Sequence, residues 1–181
     1  HLCSPQSGMT SLFKPKIEAL NFFNGFSEFG KVEKIEEIQT TKLDNVDNLK
    51  ATDFLKMDVQ GAELGILKNG SKKLKNCLAV QLEVSYFPLY EDQPSFGEID
   101  VYMRTQGFVP HLFLDVKRWS IKPTIFNDDF RLPGNQLLES DVVYIKDPLR
   151  LSELSNSQLK KLAILAHYSF NSTDYCIFLL L

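Results

Sequence analysis

The chain has 181 residues, 44% of them hydrophobic and 24% charged, with a formal net charge of −3 at neutral pH. That balance fits a globular protein with a core of its own and excludes a typical nucleic-acid binder, which would carry a basic face. No apolar run approaches the roughly 20 residues of a membrane span, the Ile177 to Leu181 run included, so no membrane partner is expected.

From His1 to Lys16 the chain is rich in Ser, Pro, Gly and Thr and lacks either apolar period, which reads as loop or the tail of a strand. Between Val32 and Thr41 the residues Val32, Ile35 and Ile38 fit a helical stripe, whereas Ile38-Gln-Thr-Thr41 favours a strand; strand is the reading adopted. Asp44 is placed to cap a short helical turn toward Leu49. Phe54 to Val59 then predicts a buried strand that passes through Gly61 into a helix bearing Leu64, Ile66 and Leu67 and stopped by Gly70. Lys72-Lys73-Leu74-Lys75 reads as a solvated helix end.

The near-continuous apolar run Cys77 to Val84 predicts a strand covered on both faces. Strand, helix and strand within about 30 residues make a βαβ unit, so the two strands should be parallel. Ser95 and Glu98 form a capping box ahead of a helix that aligns Phe96, Ile99 and Met103 and ends at Gly107. Phe108 to Ile121 and Leu138 to Lys146 follow as two strands with no helix between them, an antiparallel pair at the sheet's end. A second capping box, Ser155 with Gln158, opens a helix whose buried face is Leu159, Leu162, Ala163 and Ala166 and whose staple is Leu154 with Leu159. No repeat or linker divides the chain, so residues 1–181 are read as one domain with a helical tail over 152–170.

Two acids stand where strands end. Asp58 closes the first strand of the βαβ unit, at the corner where open α/β sheets line their ligand crevice, and it is equally suited to cap the following helix. Glu83 closes the second strand, placed either for chemistry or for a hydrogen bond to loop backbone. Glu63, in a first helical turn, is explained by the helix dipole. Lys56, inside a strand expected to be buried, should snorkel to an edge or pair with an acid. Tyr86-Phe-Pro-Leu-Tyr90 either walls a pocket or belongs to the core, and Arg118 and Trp119 are candidates for a pocket rim. His111 and His167 have no metal-ligand partners at suitable spacing, so no residue is assigned as a metal ligand, and a strand-end carboxylate could serve as a base, offset a positive charge or hold a divalent cation. Three widely spaced cysteines, Cys3, Cys77 and Cys176, leave an odd thiol and suggest a reducing, cytoplasmic compartment.

Thr41-Lys-Leu-Asp44, Asp53-Phe-Leu-Lys-Met-Asp-Val-Gln-Gly-Ala-Glu63, Leu67-Lys-Asn-Gly70, Val80-Gln-Leu-Glu-Val-Ser-Tyr-Phe-Pro-Leu-Tyr90, Gln93-Pro-Ser-Phe96 and Gln106-Gly-Phe108 follow one another in an order and spacing that resembles the FkbM-like S-adenosylmethionine-dependent methyltransferases. Asn135 to Asp141 and Leu159 to Ala163 look like the tail of one branch of that family. The resemblance implies an α/β fold: a Rossmann-like class I methyltransferase sheet, mostly parallel with an antiparallel terminal strand pair.

The family's glycine-rich turn and ribose-binding acid have no counterpart here, and Ser7-Gly-Met-Thr-Ser-Leu12 resembles the serine-rich loop that follows them. The expectation is therefore the second half of such a domain, lacking the N-terminal strands, with an exposed edge that favours a homodimer. The resemblance further implies S-adenosylmethionine as cofactor, Asp58 and Glu83 as catalytic residues, and Asp58 and Gln60 in contact with the cofactor. The implied reaction is O-methylation of a small-molecule or saccharide hydroxyl. The alternative is a non-catalytic or truncated interaction domain unable to bind cofactor alone.

Overall fold

The apolar run after Cys77 forms β4, Ala79–Ser85, a strand with neighbours on both sides and packing on both faces. The computed structural model describes residues 1–50 and 52–181. β3 (Phe54–Met57) lies parallel to β4 along one side. On the other side β6 (Gln136–Lys146) runs antiparallel to β4, and β5 (Phe108–Trp119) runs antiparallel to β6, giving the order β3-β4-β6-β5. β1 (Leu2–Cys3) and β2 (Val32–Lys34) make a separate two-stranded antiparallel sheet.

The architecture is mixed α/β, and the four-stranded sheet is mixed rather than mostly parallel: β3–β4 is its one parallel pairing among the described residues. The cause is the connection from β5 to β6. With no helix to carry the chain back, β6 returns antiparallel, and by inserting between β4 and β5 it makes both of its pairings antiparallel.

Strand parity divides the core. Val80, Leu82 and Val84, with Val142 and Tyr144 opposite, face α3 (Glu63–Lys68) and α4 (Phe96–Thr105), where Leu64, Leu67, Ile99 and Met103 complete one cluster. Ala79, Val143 and Ile145 face α5 (Asn156–Tyr168) and α6 (Thr173–Leu180), packing on Leu162, Ala166 and Tyr175. This second layer covers only the start of β4. Farther along, the same row turns polar, through Gln81 and Glu83 on β4 and Asp141 and Glu139 on β6.

Both capping boxes form as the sequence predicts, at Ser95–Glu98 and Ser155–Gln158. α1 (Ile17–Phe22) and α2 (Phe26–Phe29) were not legible in the sequence, because neither has a side-chain cap and each is too short to be stable alone. They form by packing Leu20, Phe23 and Phe26 against Leu89, Tyr90 and Leu138 in a third cluster. The strand expected over Val32–Thr41 shrinks to Val32–Lys34, since its only partner among the described residues is the two-residue β1. Asp44 does not cap its own turn: its carboxylate accepts from the backbone N–H groups of Lys72 and Lys73, at 3.0 Å each. The strand that carries Lys56 is less buried than expected, and Lys56 reaches solvent, because β3 is an edge strand whose outward row no helix covers at that point. No helix among the described residues is long and apolar enough to cross a membrane.

Leu82, fully buried between β3 and β6, tests this arrangement. Leu82→Ala is expected to lower unfolding free energy by about 3–4 kcal/mol through lost burial and a residual cavity. Urea denaturation should show the midpoint falling with little change in slope.

Candidate active site at the carboxyl ends of β3 and β4

Met57 pairs with Leu82, so one residue farther along each strand the register sets Asp58 beside Glu83. Past Asp58 the chain reverses through Gln60 and Gly61, both left-handed at φ 52° and 104°. Gly61 is required twice over: the conformation is costly for other residues, and a Cβ would lie 3.1 Å from the Phe13 ring and 3.2 Å from Gln93.

The reversal turns the Gln60 amide back over the strand ends. Its Nε2 donates to Asp58 Oδ1 at 2.9 Å and reaches Glu83 Oε2 at 3.5 Å. Its Oε1 faces the Tyr90 hydroxyl at 3.1 Å, whose one proton is shared with the Met9 carbonyl at 3.2 Å, and the Asp58 carboxylate, an acceptor, sets the amide nitrogen toward the acids. The Ser11 hydroxyl anchors the backbone by donating to the Gln60 carbonyl at 2.6 Å. Ser11 and Tyr90 are both buried.

Glu63 is structural. Its buried carboxylate accepts from the Val59 N–H at 3.0 Å, closing the corner between β3 and α3, and burial raises its pKa against the opposing backbone donors. The helix dipole alone does not account for a carboxylate so deeply enclosed. Asp58 does not cap α3, whose N-cap is Ala62; its carboxylate is exposed and turned toward Gln60.

Glu83 carries the strongest electrostatic perturbation at this edge. Burial first, and then repulsion from and hydrogen bonding with the neighbouring Glu139, push its pKa up to about 9; Asp58 adds to the rise and Lys117 opposes it. Glu83 therefore keeps its proton at neutral pH. Glu139 is itself paired with Lys117, whose ammonium donates to it at 2.7 Å across the β5–β6 ribbon. Next along the row, the Gln81 amide donates to Asp141 at 2.6 Å.

A family model described as methyltransferase FkbM domain matches residues 1–110, more than half of the chain. The chain belongs to the FkbM methyltransferase family. No curated protein and no solved structure matches it. The matched span of the FkbM domain holds Ser11, Asp58, Gln60, Glu83 and Tyr90 but stops within β5, ahead of Lys117 and Glu139.

The structure thus brings together the three residues singled out from sequence, Asp58, Gln60 and Glu83. Four partners were missed: Ser11, Tyr90 as the holder of Gln60, Lys117 and Glu139. A signal existed for Ser11 in the serine-rich segment, but Lys117 and Glu139 meet only through a β5–β6 register broken by bulges. Tyr86 to Tyr90 is mainly core: Leu89 and Tyr90 are buried and Phe87 stacks on Phe22 at 5.2 Å. Trp119 packs on Phe26 and Phe29 and donates its N–H to the Asn24 carbonyl at 2.8 Å, while Arg118 is exposed. His111 is packed against Tyr175 and bonded to the Ser172 hydroxyl at 2.8 Å, and His167 is exposed. Among the described residues no group of three His, Cys, Asp or Glu side chains is arranged to hold a metal.

The raised pKa of Glu83 has a measurable consequence. In the unfolded chain its proton leaves near the ordinary value of 4.5, and in the folded protein only near 9. Below that window the carboxyl carries no penalty; across it the unfolded state is favoured increasingly as pH rises, and the penalty is complete above it. Glu83→Gln should flatten the decline of melting temperature with pH between these limits and raise melting temperature at the alkaline end.

Proposed function

We propose that the chain is an S-adenosylmethionine-dependent methyltransferase domain with a Rossmann-like class I sheet, acting on the hydroxyl of a small molecule or saccharide. The observation that carries this reading is the Gln60 amide joining Asp58 and Glu83 at the ends of adjacent parallel strands. Membership of the FkbM family and the order β3-β4-β6-β5, with β6 alone reversed, support it.

The side chains at the edge suit the charged end of that cofactor, since with Glu83 protonated two further acids, Asp58 and Glu139, still stand against the ammonium of Lys117. When bound, the cofactor supplies a methyl group on positively charged sulfur. Asp58 and Gln60 hold the methionine end. Glu83 gives up its proton more readily beside a cation, and a carboxylate of such high proton affinity is a strong acceptor for a hydroxyl proton. Tyr90 and Ser11 hold Gln60 in place, so its amide is positioned between the two acids before any ligand enters.

A rival reading, a non-catalytic interaction domain, draws on one feature: no glycine-rich turn precedes Asp53 within this sequence to cradle the cofactor. Calorimetry separates the two. S-adenosylhomocysteine is expected to bind in the micromolar range, S-adenosylmethionine more tightly, and Asp58→Asn with Glu83→Gln should abolish that preference. Heat from neither ligand at millimolar concentration would favour the interaction domain. Where transfer to a hydroxyl acceptor is measured, Glu83→Gln should slow it about 10²–10⁴-fold.

A further inference from the structure

We propose that the protein carries a second ligand site, at the opposite end and on the opposite face of the sheet from Asp58 and Glu83, where a cavity takes a small organic anion with an apolar or aromatic body and pairs it with Lys146. The cavity has a volume of about 600 Å³ and lies between the C-terminal turn of α4, the 3-10 segment Pro148–Glu153 and the start of α5. That volume falls within the range of small-molecule sites. Its floor is apolar, formed by Leu67, Leu74, Val80, Met103 and Phe108. Val80 faces α3 and α4 whereas Glu83 faces the other side, and Lys146 sits level with Leu78, five residues back along β4, which is roughly 16 Å at a strand's rise.

Lys146 is the unspent charge in this cavity. Its ammonium lies 3.8 Å from the centre of the Phe108 ring and donates to the Gln106 carbonyl at 3.1 Å. An ammonium has three donors, and among the described residues no carboxylate stands within ion-pairing distance of this one. The other charges at the rim are engaged: Arg150 pairs with Glu153 at 2.8 Å, and the Asp147 carboxylate accepts from the Leu149 N–H at 2.9 Å. Lys75, also at the rim, is exposed and adds to the positive side. Burial lowers the pKa of Lys146, with Arg150 adding to the effect, so an anion arriving at the ammonium would relieve a cost already present in the fold. A carboxylate or a phosphate ester fits this chemistry, with its apolar body on Val80, Met103 and Phe108.

The methionines provide the test, because Met103 lines this cavity while Met9, in the separate cluster beneath α1 and α2, lies away from it and accepts from the Tyr90 hydroxyl through its carbonyl. The probes are 4-phenylbutyrate, phenyl phosphate and the neutral 4-phenylbutanol, titrated into the whole chain with ¹³C-methyl methionine observed by NMR. At least one anion should shift the Met103 signal saturably while leaving Met9 in place, and the tighter of the two identifies the headgroup. The alcohol should bind at least about tenfold more weakly, and Lys146→Met should weaken the anion by a similar factor at unchanged melting temperature. Absence of saturation by either anion at millimolar concentration, equal binding of the alcohol, binding unaffected by Lys146→Met, or a shift of Met9 instead would overturn the proposal. The alcohol comparison is made on the wild-type chain and decides the matter even if the variant unfolds. None of these readouts depends on methyl transfer or on the Asp58–Glu83 edge.

Discussion

The two layers on either face of the sheet are both fastened to β4. Leu78, Ala79, Val80, Leu82 and Val84 are each no more than 1% exposed, which forces alternate residues into two different apolar environments. Parity along this strand cannot be relaxed locally, because a slip of one residue would drive Glu83 into the cluster beneath α3 and α4 and turn Leu82 out of it. The location of the acidic edge is therefore a by-product of core packing. β3 adds the second constraint, since its parallel register on β4 brings Asp58 level with Glu83.

What happens at that edge depends on how three carboxyl groups and one ammonium share a limited amount of solvent. Lys117 is committed to Glu139 and offsets only part of the repulsion that Glu139 exerts on Glu83. The result is a carboxyl that stays neutral well above its usual range. Gln60 complements this arrangement, since its amide donor faces the acids and its carbonyl oxygen is held by Tyr90. An edge built this way is hospitable to positive charge without requiring two adjacent anions in the resting protein.

Much of this was legible in the letters of the chain. The run Cys77 to Val84 announced a doubly covered strand, Ser95 with Glu98 and Ser155 with Gln158 announced two helix starts, and the glycine after Gln60 announced the corner. Those signals are local and have direct physical causes. The elements that escaped, α1, α2 and α6, have no side-chain caps and owe their stability to contacts with residues far along the chain. The burial of the strand that carries Lys56 was misjudged for a related reason: it depends on which strand ends up at the edge of the sheet. Glu63 and Asp44 also escaped, because Glu63 reaches back to the Val59 N–H ahead of its helix and Asp44 is used in tertiary hydrogen bonding, neither of which helix-dipole and capping rules reveal. At the site, Asp58, Gln60 and Glu83 could be named from strand ends and a turn, whereas Lys117 and Glu139 required a pairing that the bulges in β5 conceal.

The matched FkbM span ends within β5, and Glu139 and Lys117, which add to and oppose the rise that burial gives Glu83, sit beyond it on the β5–β6 ribbon. The corner and part of the field that acts on it are thus encoded by separate stretches of polypeptide. A neutral side chain at Lys117 alters the local potential while leaving the hydrogen bonds of Gln60 intact. The ribbon is consequently a dial on the acidity of Glu83 that turns without rebuilding the corner.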